Sequence, residues 1–233
     1  MITLRPSSER GHTQIGWLDS YHTFSFGGYQ DPAHMGYGPL RVINDDRVEP
    51  AQGFGTHGHR DMEIITVVLE GALEHKDSLG TGSVIFPGDV QKMSAGKGIL
   101  HSEYNASHRD PVHFLQVWII PDTNGVHPEY QQKHFDVAER TNRLRLVASR
   151  DGREGSITLL RDADMYVSTL TECARLEVPL RTERKYWLHT ASGTLHANGQ
   201  AMQEGDGLAI EGETALTLSS DSGAQIVLFD LAV

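Results

Sequence analysis

The sequence predicts an all-β protein built from two β-barrels in tandem. Its 233 residues include 24 glycines and 9 prolines, and these fall between short apolar runs rich in β-branched and aromatic residues. Such alternation is typical of strands joined by turns. The predicted strands include residues 64–69, 83–86, 112–120, 167–170, 186–188 and 225–229. Long helical periodicity is absent, and only residues 136–141 favour a short helix.

Two matching sets of turn motifs support the division into two barrels. The first set is Glu70–Leu73 followed by Pro87–Asp89, and the second is Ser192–Leu195 followed by Glu204–Asp206. Each Gly-x-Leu is interpreted as a turn into a strand, and each Gly-Asp as a tight turn before the next strand. Polar residues dominate 130–150, so the linker is placed there. The predicted domains are residues 1–135 and 136–233.

Composition and charge disfavour several classes of protein. The formal net charge is −11 at pH 7, whereas a nucleic-acid-binding protein needs a basic surface against phosphate. The first residues lack the apolar segment of a secretory signal, and no run of about 18 apolar residues could span a membrane. The single cysteine, Cys173, excludes an internal disulfide and is expected to be buried. We expect a cytoplasmic protein that binds neither nucleic acid directly nor a membrane.

Two pairs of metal-ligand residue types carry the chemistry. His57 and His59 are two residues apart, as are His101 and Glu103, so on strands each pair projects to one face. If the two strands are neighbours, three imidazoles and a carboxylate converge. Such a set favours a transition metal over calcium or magnesium. The sequence therefore predicts one divalent metal ion, with iron expected first and nickel, copper, manganese, zinc or cobalt as alternatives.

The turn motifs also indicate which half holds the metal. His57 precedes Gly71 by 14 residues, and His101 follows Gly88 by 13. The corresponding positions in the second half are Pro179 and Leu218, which offer no ligand. The metal is therefore predicted in the N-terminal domain, and the C-terminal domain is predicted to lack a metal site.

Glu63 is a rival for the oxygen ligand. It has the same strand parity as His57 and His59, but four residues of straight strand span roughly 13 Å. Glu63 reaches the metal only if the strand curls or bulges, whereas Glu103 needs no distortion. Glu103 is therefore preferred as the oxygen ligand. Glu63 is expected either to contact the ligand side chains without binding the metal itself, or to be an ordinary polar strand residue.

These residues resemble the two sequence motifs of cupins. The first motif matches His57, His59, Glu63 and Gly71, and the second matches Gly88, Gly98, His101 and Asn105. The chain departs from the common pattern where Ser94 or Ala95 replaces a proline, where two extra residues precede His101, and where Glu103 adds a carboxylate. The resemblance implies two cupin (jelly-roll) β-barrels in tandem.

The departures resemble the pirin family of bicupins. The matching segments are residues 22–26, 40–46, 53–63, 93–99 and 101–105, within a similarity that spans most of residues 10–135. The resemblance implies a metal held by His57, His59, His101 and Glu103, followed by a metal-free cupin. The short second half looks most like the bacterial quercetin 2,3-dioxygenases of the family.

The resemblance implies an oxidoreductase that opens the flavonol ring of quercetin with O2. Glu103 would be both ligand and general base, and the substrate would be a small aromatic flavonol. Expected pocket residues are Phe26, Phe54, Met93, Phe114 and Trp118, although core positions are an alternative for each. Asp45 and Asp46 would contact substrate or lie in a solvated turn.

Two other hypotheses remain open. The first is a non-enzymatic, metal-dependent and redox-sensitive regulator that binds a protein partner, to which the acidic charge would suit a basic surface. The second is another cupin enzyme, such as a sugar isomerase. Such an isomerase offers a Lys or Arg side chain near the metal to bind phosphate or sugar groups. Arg60 and Lys97 are the basic residues closest in sequence to the predicted ligands.

Overall fold

The computed structural model describes residues 1–233 and contains 21 strands, one four-residue α-helix and two short 3-10 helices. This composition confirms the all-β prediction. The first strands are β1 (Ile2–Arg5), β2 (Gly11–Ile15), β3 (Leu18–His22), β4 (Leu40–Val48), β5 (Gly53–His59), β6 (Glu63–Glu70), β7 (Leu73–Asp77), β8 (Gly82–Ile85), β9 (Asp89–Ser94), β10 (Ile99–Asn105), β11 (Val112–Ile119) and β12 (Glu129–His134).

The remaining elements form the second half of the chain. They are α1 (Val137–Arg140), β13 (Arg145–Ser149), β14 (Ile157–Thr158), β15 (Ala163–Leu170), β16 (Ala174–Pro179), β17 (Lys185–Ala197), β18 (Gln200–Gln203), β19 (Gly207–Glu211), β20 (Ala215–Ser220) and β21 (Ala224–Leu231), with 3-10 helices at Ser7–Glu9 and Arg153–Gly155. The position of α1 agrees with the short helix predicted at 136–141. None of the helices is long and apolar enough to cross a membrane.

The first barrel is made of two sheets. One has seven strands in the order β12-β9-β6-β11-β4-β3-β2, and the other has four in the order β5-β10-β7-β8. A cluster of seven buried apolar residues joins them, in which Val68 and Phe114 of the larger sheet meet Leu73 and Ile85 of the smaller. Burial of this cluster holds the four-stranded sheet, which carries both predicted ligand pairs, against the larger one.

The second barrel is a single ten-stranded sheet with a cluster of 15 buried apolar residues. A further cluster of 22 buried residues contains members of both halves, including the ring pair Phe24–Trp187 at 4.9 Å between centroids. Strand β1 pairs with β19, so residues 2–5 extend the sheet of the second half. The two halves therefore share a core and a strand, and the predicted division at residue 135 falls between β12 and α1.

The repeated turns have the same local structure in both halves. Gly71 and Gly193 each have φ +78°, where a Cβ would be strained and would also press on backbone across the turn. Asp89 and Asp206 each accept a hydrogen bond from the backbone N–H three residues earlier, at 3.0 and 2.9 Å. These matching turns agree with the repeat interpretation.

The expectation for Cys173 was wrong. This residue lies in the turn between β15 and β16, has φ +60°, and is exposed. Its preceding strand ends at Leu170, and the reversal of the chain leaves no core position for the thiol. The apolar character of cysteine gave no information about this turn.

Candidate metal centre

Strands β5 and β10 are antiparallel neighbours, and His57 lies directly opposite His101. His59 is opposite Ile99, one pair further along the ladder. Because side chains alternate between faces, His57 and His59 project to the side on which His101 also lies. The pairing of these two strands is what brings the two sequence motifs together.

Three imidazole rings form a compact triangle at this point. The ring centroids of His57 and His101 are 4.4 Å apart, and His59 is 4.9 Å from each. One ligand nitrogen from each ring lies within 4.8 Å of the others. The Nε2 atoms of His57 and His101 are 3.0 Å apart. Two nitrogens at about 2.1 Å from one metal ion are about 3 Å apart when the bonds are perpendicular, so this spacing fits adjacent positions on one ion.

The hydrogen bonds of the rings prepare lone pairs for a cation. His57 donates its Nδ1–H to the carbonyl oxygen of Gly55 at 2.8 Å, which leaves the Nε2 lone pair of His57 free. The Nε2 atom of His59 is buried and has no hydrogen-bond partner. A ring fixed through one nitrogen and open at the other is the usual arrangement of a metal-binding histidine.

Burial also keeps two of these imidazoles neutral. It lowers the pKa of His101 to about 2, and the neighbouring imidazoles act in the same direction. Burial likewise lowers the pKa of His59 to about 4. Neutral imidazole is the form that binds a metal, so both rings are in the ligand form at neutral pH.

Glu103 is buried beside His101 and has one oxygen without a partner. Gln116 donates its Nε2–H to Oε2 of Glu103 at 2.7 Å, whereas Oε1 has no partner. Burial raises the pKa of Glu103 to about 7. A carboxylate oxygen of Glu103 lies within 4.8 Å of nitrogens of His75 and His101, and Glu103 is not grouped with all three rings of the triangle.

A β-bulge separates His101 from Glu103. Glu103 pairs with Phe54 rather than with the residue that regular register would give, so β5 carries an extra residue there. Gly53 permits the close approach, because a Cβ at that position would lie 2.2 Å from the carbonyl oxygen of Glu103. Bulges next to functional sites commonly re-aim a side chain. Because β10 keeps regular register with β7 here, this bulge changes how the β5 histidines lie relative to Glu103.

His75 is a member of the cluster that the sequence analysis missed. It lies on β7 opposite Glu103 and is fully buried, and its Nε2 is hydrogen-bonded to Oδ2 of Asp77 at 3.1 Å. Its Nδ1 has no partner. The signal in the sequence was the alternation of His75 and Asp77 on one face of a strand, but the contact with His101 depends on the non-local pairing of β7 with β10.

Glu63, the rival ligand, lies elsewhere. Its carboxylate accepts a hydrogen bond from the backbone N–H of Leu160 at 3.1 Å, and the Lys92 ammonium is 3.9 Å away. Glu63 therefore links the two halves of the chain. It belongs to neither group of clustered metal-ligand side chains.

A cavity of about 600 Å³ opens over His57, His59 and Glu103. This volume is within the roughly 300–1,000 Å³ typical of small-molecule sites. Three of the five predicted aromatic and sulfur side chains line it, and Met93 and Phe114 are fully buried core residues instead. The apolar lining residues are Trp17, Leu18, Phe26, Phe54 and Trp118. Neither Arg60 nor Lys97 lines this cavity, so the basic side chain expected of a sugar isomerase is not part of its wall.

The aspartates of β4 are not in a solvated turn. Both are buried on a strand, and they face opposite ways because they are consecutive. Asp45 accepts hydrogen bonds from Arg10 at 3.0 Å and from His113 at 2.7 Å. Asp46 lines the cavity, and its Oδ1 has no partner. Burial raises the pKa of Asp46 to about 7, and the negative charges of Asp45 and Glu103 act in the same direction.

Known proteins resemble this chain throughout its length. A sequence model of the family Pirin matches residues 3–119, and a model described as a quercetinase C-terminal cupin domain matches residues 146–231. The chain is 46 % identical over 231 residues to the quercetin 2,3-dioxygenase of Escherichia coli K12, covering 99 % of each chain.

Solved structures agree with these matches. The bacterial pirin YhhW of Escherichia coli in complex with nickel(II) is 46 % identical and superposes with a TM-score of 0.94, covering 100 % of this chain and 99 % of that one. A quercetin 2,3-dioxygenase from Acinetobacter baumannii, at 20 % identity and a TM-score of 0.80, covers 95 % of this chain and 83 % of its own and shares the fold. The chain therefore belongs to the pirin family, as a bicupin with a pirin N-terminal domain and a quercetinase-type C-terminal cupin.

Proposed function

We propose that this chain is a metal-dependent quercetin 2,3-dioxygenase, which opens the flavonol ring with O2. The observation that best supports this function is that two imidazoles of the triangle, His57 and His59, line an aromatic-walled cavity together with Glu103. The relatives carry this activity in their names, and the nickel(II) complex of one relative supports a divalent metal. Iron is our first expectation for the ion.

His57, His59, His101 and Glu103 would hold the metal, which supplies Lewis-acid stabilisation of an anionic substrate oxygen when bound. The two unpartnered buried atoms, Nε2 of His59 and Oε1 of Glu103, support this assignment because each needs a partner that the chain does not provide. Neutral imidazoles and a buried carboxyl form a mixed nitrogen and oxygen set of the kind that transition metals prefer.

Glu103 would act as the general base on the substrate. Its carboxyl lines the same cavity as His57 and His59, and in the metal-free protein burial raises its pKa to about 7, close to the value that suits proton transfer at neutral pH. Gln116 keeps one carboxyl oxygen in place, and Trp118 in turn donates its Nε1–H to Gln116 at 3.1 Å. This chain of hydrogen bonds fixes the direction of the carboxyl.

The aromatic walls would hold the flat flavonol and exclude water. Trp118 lies between the ring of His59 at 5.0 Å and the ring of Phe26 at 5.4 Å, both edge to face. Phe54 packs edge to face on Trp17 at 5.2 Å. A planar substrate would lie against these rings with its reacting edge toward the imidazoles, which restricts the orientation in which O2 can add.

The test is turnover by protein of known metal content. Protein loaded under nitrogen with Fe(II), Mn(II), Ni(II) or Cu(II) is mixed with quercetin in air, and loss of the flavonol absorbance band is followed. Carbon monoxide release is measured in parallel. We expect loss of the band and release of carbon monoxide with at least one metal, and neither in metal-free protein. Metal-loaded protein that leaves quercetin intact with every ion would overturn the proposal.

Two buried carboxylates of the first barrel provide matched variants. Glu103→Gln should lower kcat by roughly 100-fold or more, the lower end expected for a lost general base. Glu63→Gln should leave kcat within a few fold, because Glu63 is bonded to the other half of the chain and lies outside the cavity. The opposite outcome, with loss only in Glu63→Gln, would reverse the choice of carboxylate.

The same preparations address the regulator hypothesis. A metal-dependent regulator without catalysis would take up one metal per chain, lose it in His57→Ala, and leave quercetin unchanged. Metal uptake together with quercetin loss in the same preparation would favour the enzyme. No feature of the surface described above identifies a protein partner.

A further inference from the structure

The cavity contains polar side chains that the metal centre does not use. They occupy neighbouring strands in register, with Ser20 of β3 opposite Asp46 of β4, and His22 opposite Asn44. Residues directly opposite one another in antiparallel strands share a face, so all four face the interior. We call these four side chains the polar floor of the cavity. A purely apolar aromatic ligand would not require them.

Most of the floor is satisfied within the protein. His22 shares a hydrogen bond with Oδ1 of Asn44 at 2.9 Å, and its other nitrogen is 2.9 Å from Oγ1 of Thr13. Gln116 is engaged by Glu103 and Trp118. These residues have fixed partners, and they serve mainly to hold the wall in shape.

Asp46 is the exception. Its side chain is 3 % exposed and lines the cavity, and its Oδ1 has no hydrogen-bond partner. The charges that act on its pKa come from Asp45 and Glu103, both carboxyls, so no cation compensates it. A hydrogen bond from Ser20, opposite on β3, favours the ionised form of Asp46, but burial still raises its pKa. A buried carboxyl with one unpartnered oxygen and no cation is costly, and such a group next to a cavity is explained if a ligand provides a further donor.

We propose that Asp46 is a specificity-determining residue that accepts a hydrogen bond from a second hydroxyl of a polyhydroxylated aromatic substrate, one not engaged at Glu103. The inference rests on the proposed function for the position of the first hydroxyl. Phenolic O–H groups are the donors that a planar aromatic ligand offers, and Asp46 and Glu103 line the same cavity. Flavonols with hydroxyls beyond position 3 are the class that fits both carboxyls.

Strand β4 also provides the matched control. Asp45 is adjacent in sequence and equally buried, but its carboxylate faces away from the cavity and is bonded to Arg10 and His113. Asp45→Asn therefore removes a buried negative charge from the same strand without altering the cavity wall. It should reduce thermal stability and retain the preference for quercetin, because loss of the Asp45 charge can only favour the ionised, hydrogen-bond-accepting form of Asp46.

The experiment separates binding from turnover. Metal-loaded wild-type protein, Asp46→Ala, Asp46→Asn and Asp45→Asn are titrated under nitrogen at pH 8 with quercetin and with 3-hydroxyflavone, which lacks the additional hydroxyls. We expect wild type to bind quercetin about 10- to 100-fold more tightly than 3-hydroxyflavone, the range of one hydrogen bond to a charged group. Asp46→Ala should remove this preference by weakening quercetin alone, and Asp46→Asn should keep part of it because its amide oxygen still accepts.

The outcomes distinguish the inference from the proposed function. Equal loss of affinity for both flavonols, or a preference unchanged in Asp46→Ala, would overturn the role of Asp46 while leaving turnover by wild type intact. A preference that depends on Asp46 in protein that never opens quercetin would overturn the dioxygenase and retain the binding role. Wild type that binds neither flavonol would overturn both. In air, kcat/KM for quercetin should fall through a raised KM in Asp46→Ala, whereas Asp45→Asn should keep kcat for both flavonols within a few fold of wild type.

Discussion

The β5·β10 pair of the first barrel and the β16·β20 pair of the second occupy the same place in two copies of one barrel. Each first strand leads into the strand that reaches the repeated glycine: β6 ends just before Gly71, whereas β17 continues through Gly193 to Ala197. Each last strand follows the repeated Gly-Asp turn and the strand after it. Both pairs are antiparallel. In the first barrel the pair carries histidines and Glu103, whereas the second carries Leu216 and Leu218, which are fully buried.

The comparison indicates what the metal centre costs in stability. Burying a leucine contributes roughly 1.5–3 kcal/mol, and the second barrel gains this twice at Leu216 and Leu218. The first barrel instead buries unpartnered atoms of His59, His101 and Glu103, each of which is unfavourable without a partner. Ligand binding restores stability by mass action, so we expect the first barrel to depend on its metal and the second to be stable without one.

The largest effect is expected from making the first barrel like the second. His101→Leu places at β10 the residue type found on β20. Because His101 is central to the triangle, metal affinity should fall roughly 100- to 1,000-fold, about one quarter of the binding free energy of a four-ligand site, and turnover should be lost. Metal competition titration measures the affinity. The melting temperature of the metal-free variant should not fall below that of metal-free wild type, because the substitution removes an unpartnered buried nitrogen. If the variant still bound one metal ion per chain with wild-type affinity, His101 would not be a ligand.

Placing a histidine at the corresponding position of the second barrel should destabilise the protein without creating a metal site. Leu218→His buries an imidazole among apolar residues, with no partner and with loss of leucine packing, so the free energy of unfolding should drop by roughly 3–5 kcal/mol. Urea unfolding followed by fluorescence gives the value, and Thr217→His on the exposed face of the same strand is the control. If Leu218→His bound a metal ion, the second barrel would hold a latent site and the contrast between the barrels would weaken.

Glu103 also makes the stability of the metal-free first barrel depend on pH. In the folded metal-free protein burial raises the pKa of Glu103 to about 7, while the unfolded chain loses this proton from about pH 4.5. The folded state therefore holds the extra proton between these values, and Glu103 makes the protein less stable as pH rises through them. Glu103→Gln removes this loss.

The measurable quantity is the stability difference between Glu103→Gln and wild type, both without metal. It should grow from near zero at about pH 4.5 to on the order of 3 kcal/mol above pH 7, at about 1.4 kcal/mol per pKa unit. Taking the difference cancels the opposing contribution of His59, whose lowered pKa makes stability rise with pH between about 4 and 6.5. A difference that is constant with pH would mean that Glu103 is ionised in the folded state throughout.

Local patterns in the sequence were sufficient for some features of the site. The pairs of His57 with His59 and of His101 with Glu103 follow from strand periodicity, which acts over two residues. The all-β fold and the two halves follow from turn motifs. The ligand assignment itself remains a prediction, because the geometry brings the three histidines together while Glu103 groups with His75 and His101.

Features that depend on non-local pairing could not be predicted. His75 joins the cluster only because β7 lies beside β10, and β1 joins the second sheet across more than 200 residues of sequence. Asp46 follows a polar Asn-Asp dipeptide that is as typical of turns as of strands. Its place in the cavity depends on β3 and β11 flanking β4, which no local pattern specifies.

The smallest expected effect tests whether the repeated turns are equivalent. Asp89→Asn and Asp206→Asn each keep side-chain volume but weaken the acceptor of the turn N–H, so each should cost about 1 kcal/mol. Because the halves share a buried cluster, both variants should unfold in one transition in urea, with midpoints lowered by similar amounts. Asp89 also bonds to Gln132 and His134, and Asp206 also accepts from the backbone N–H of Ser7. A loss confined to one variant, or two separate transitions, would show that the turns and these outer contacts have diverged. Equal losses would mean that the barrels differ in what fills them and not in how their chains turn.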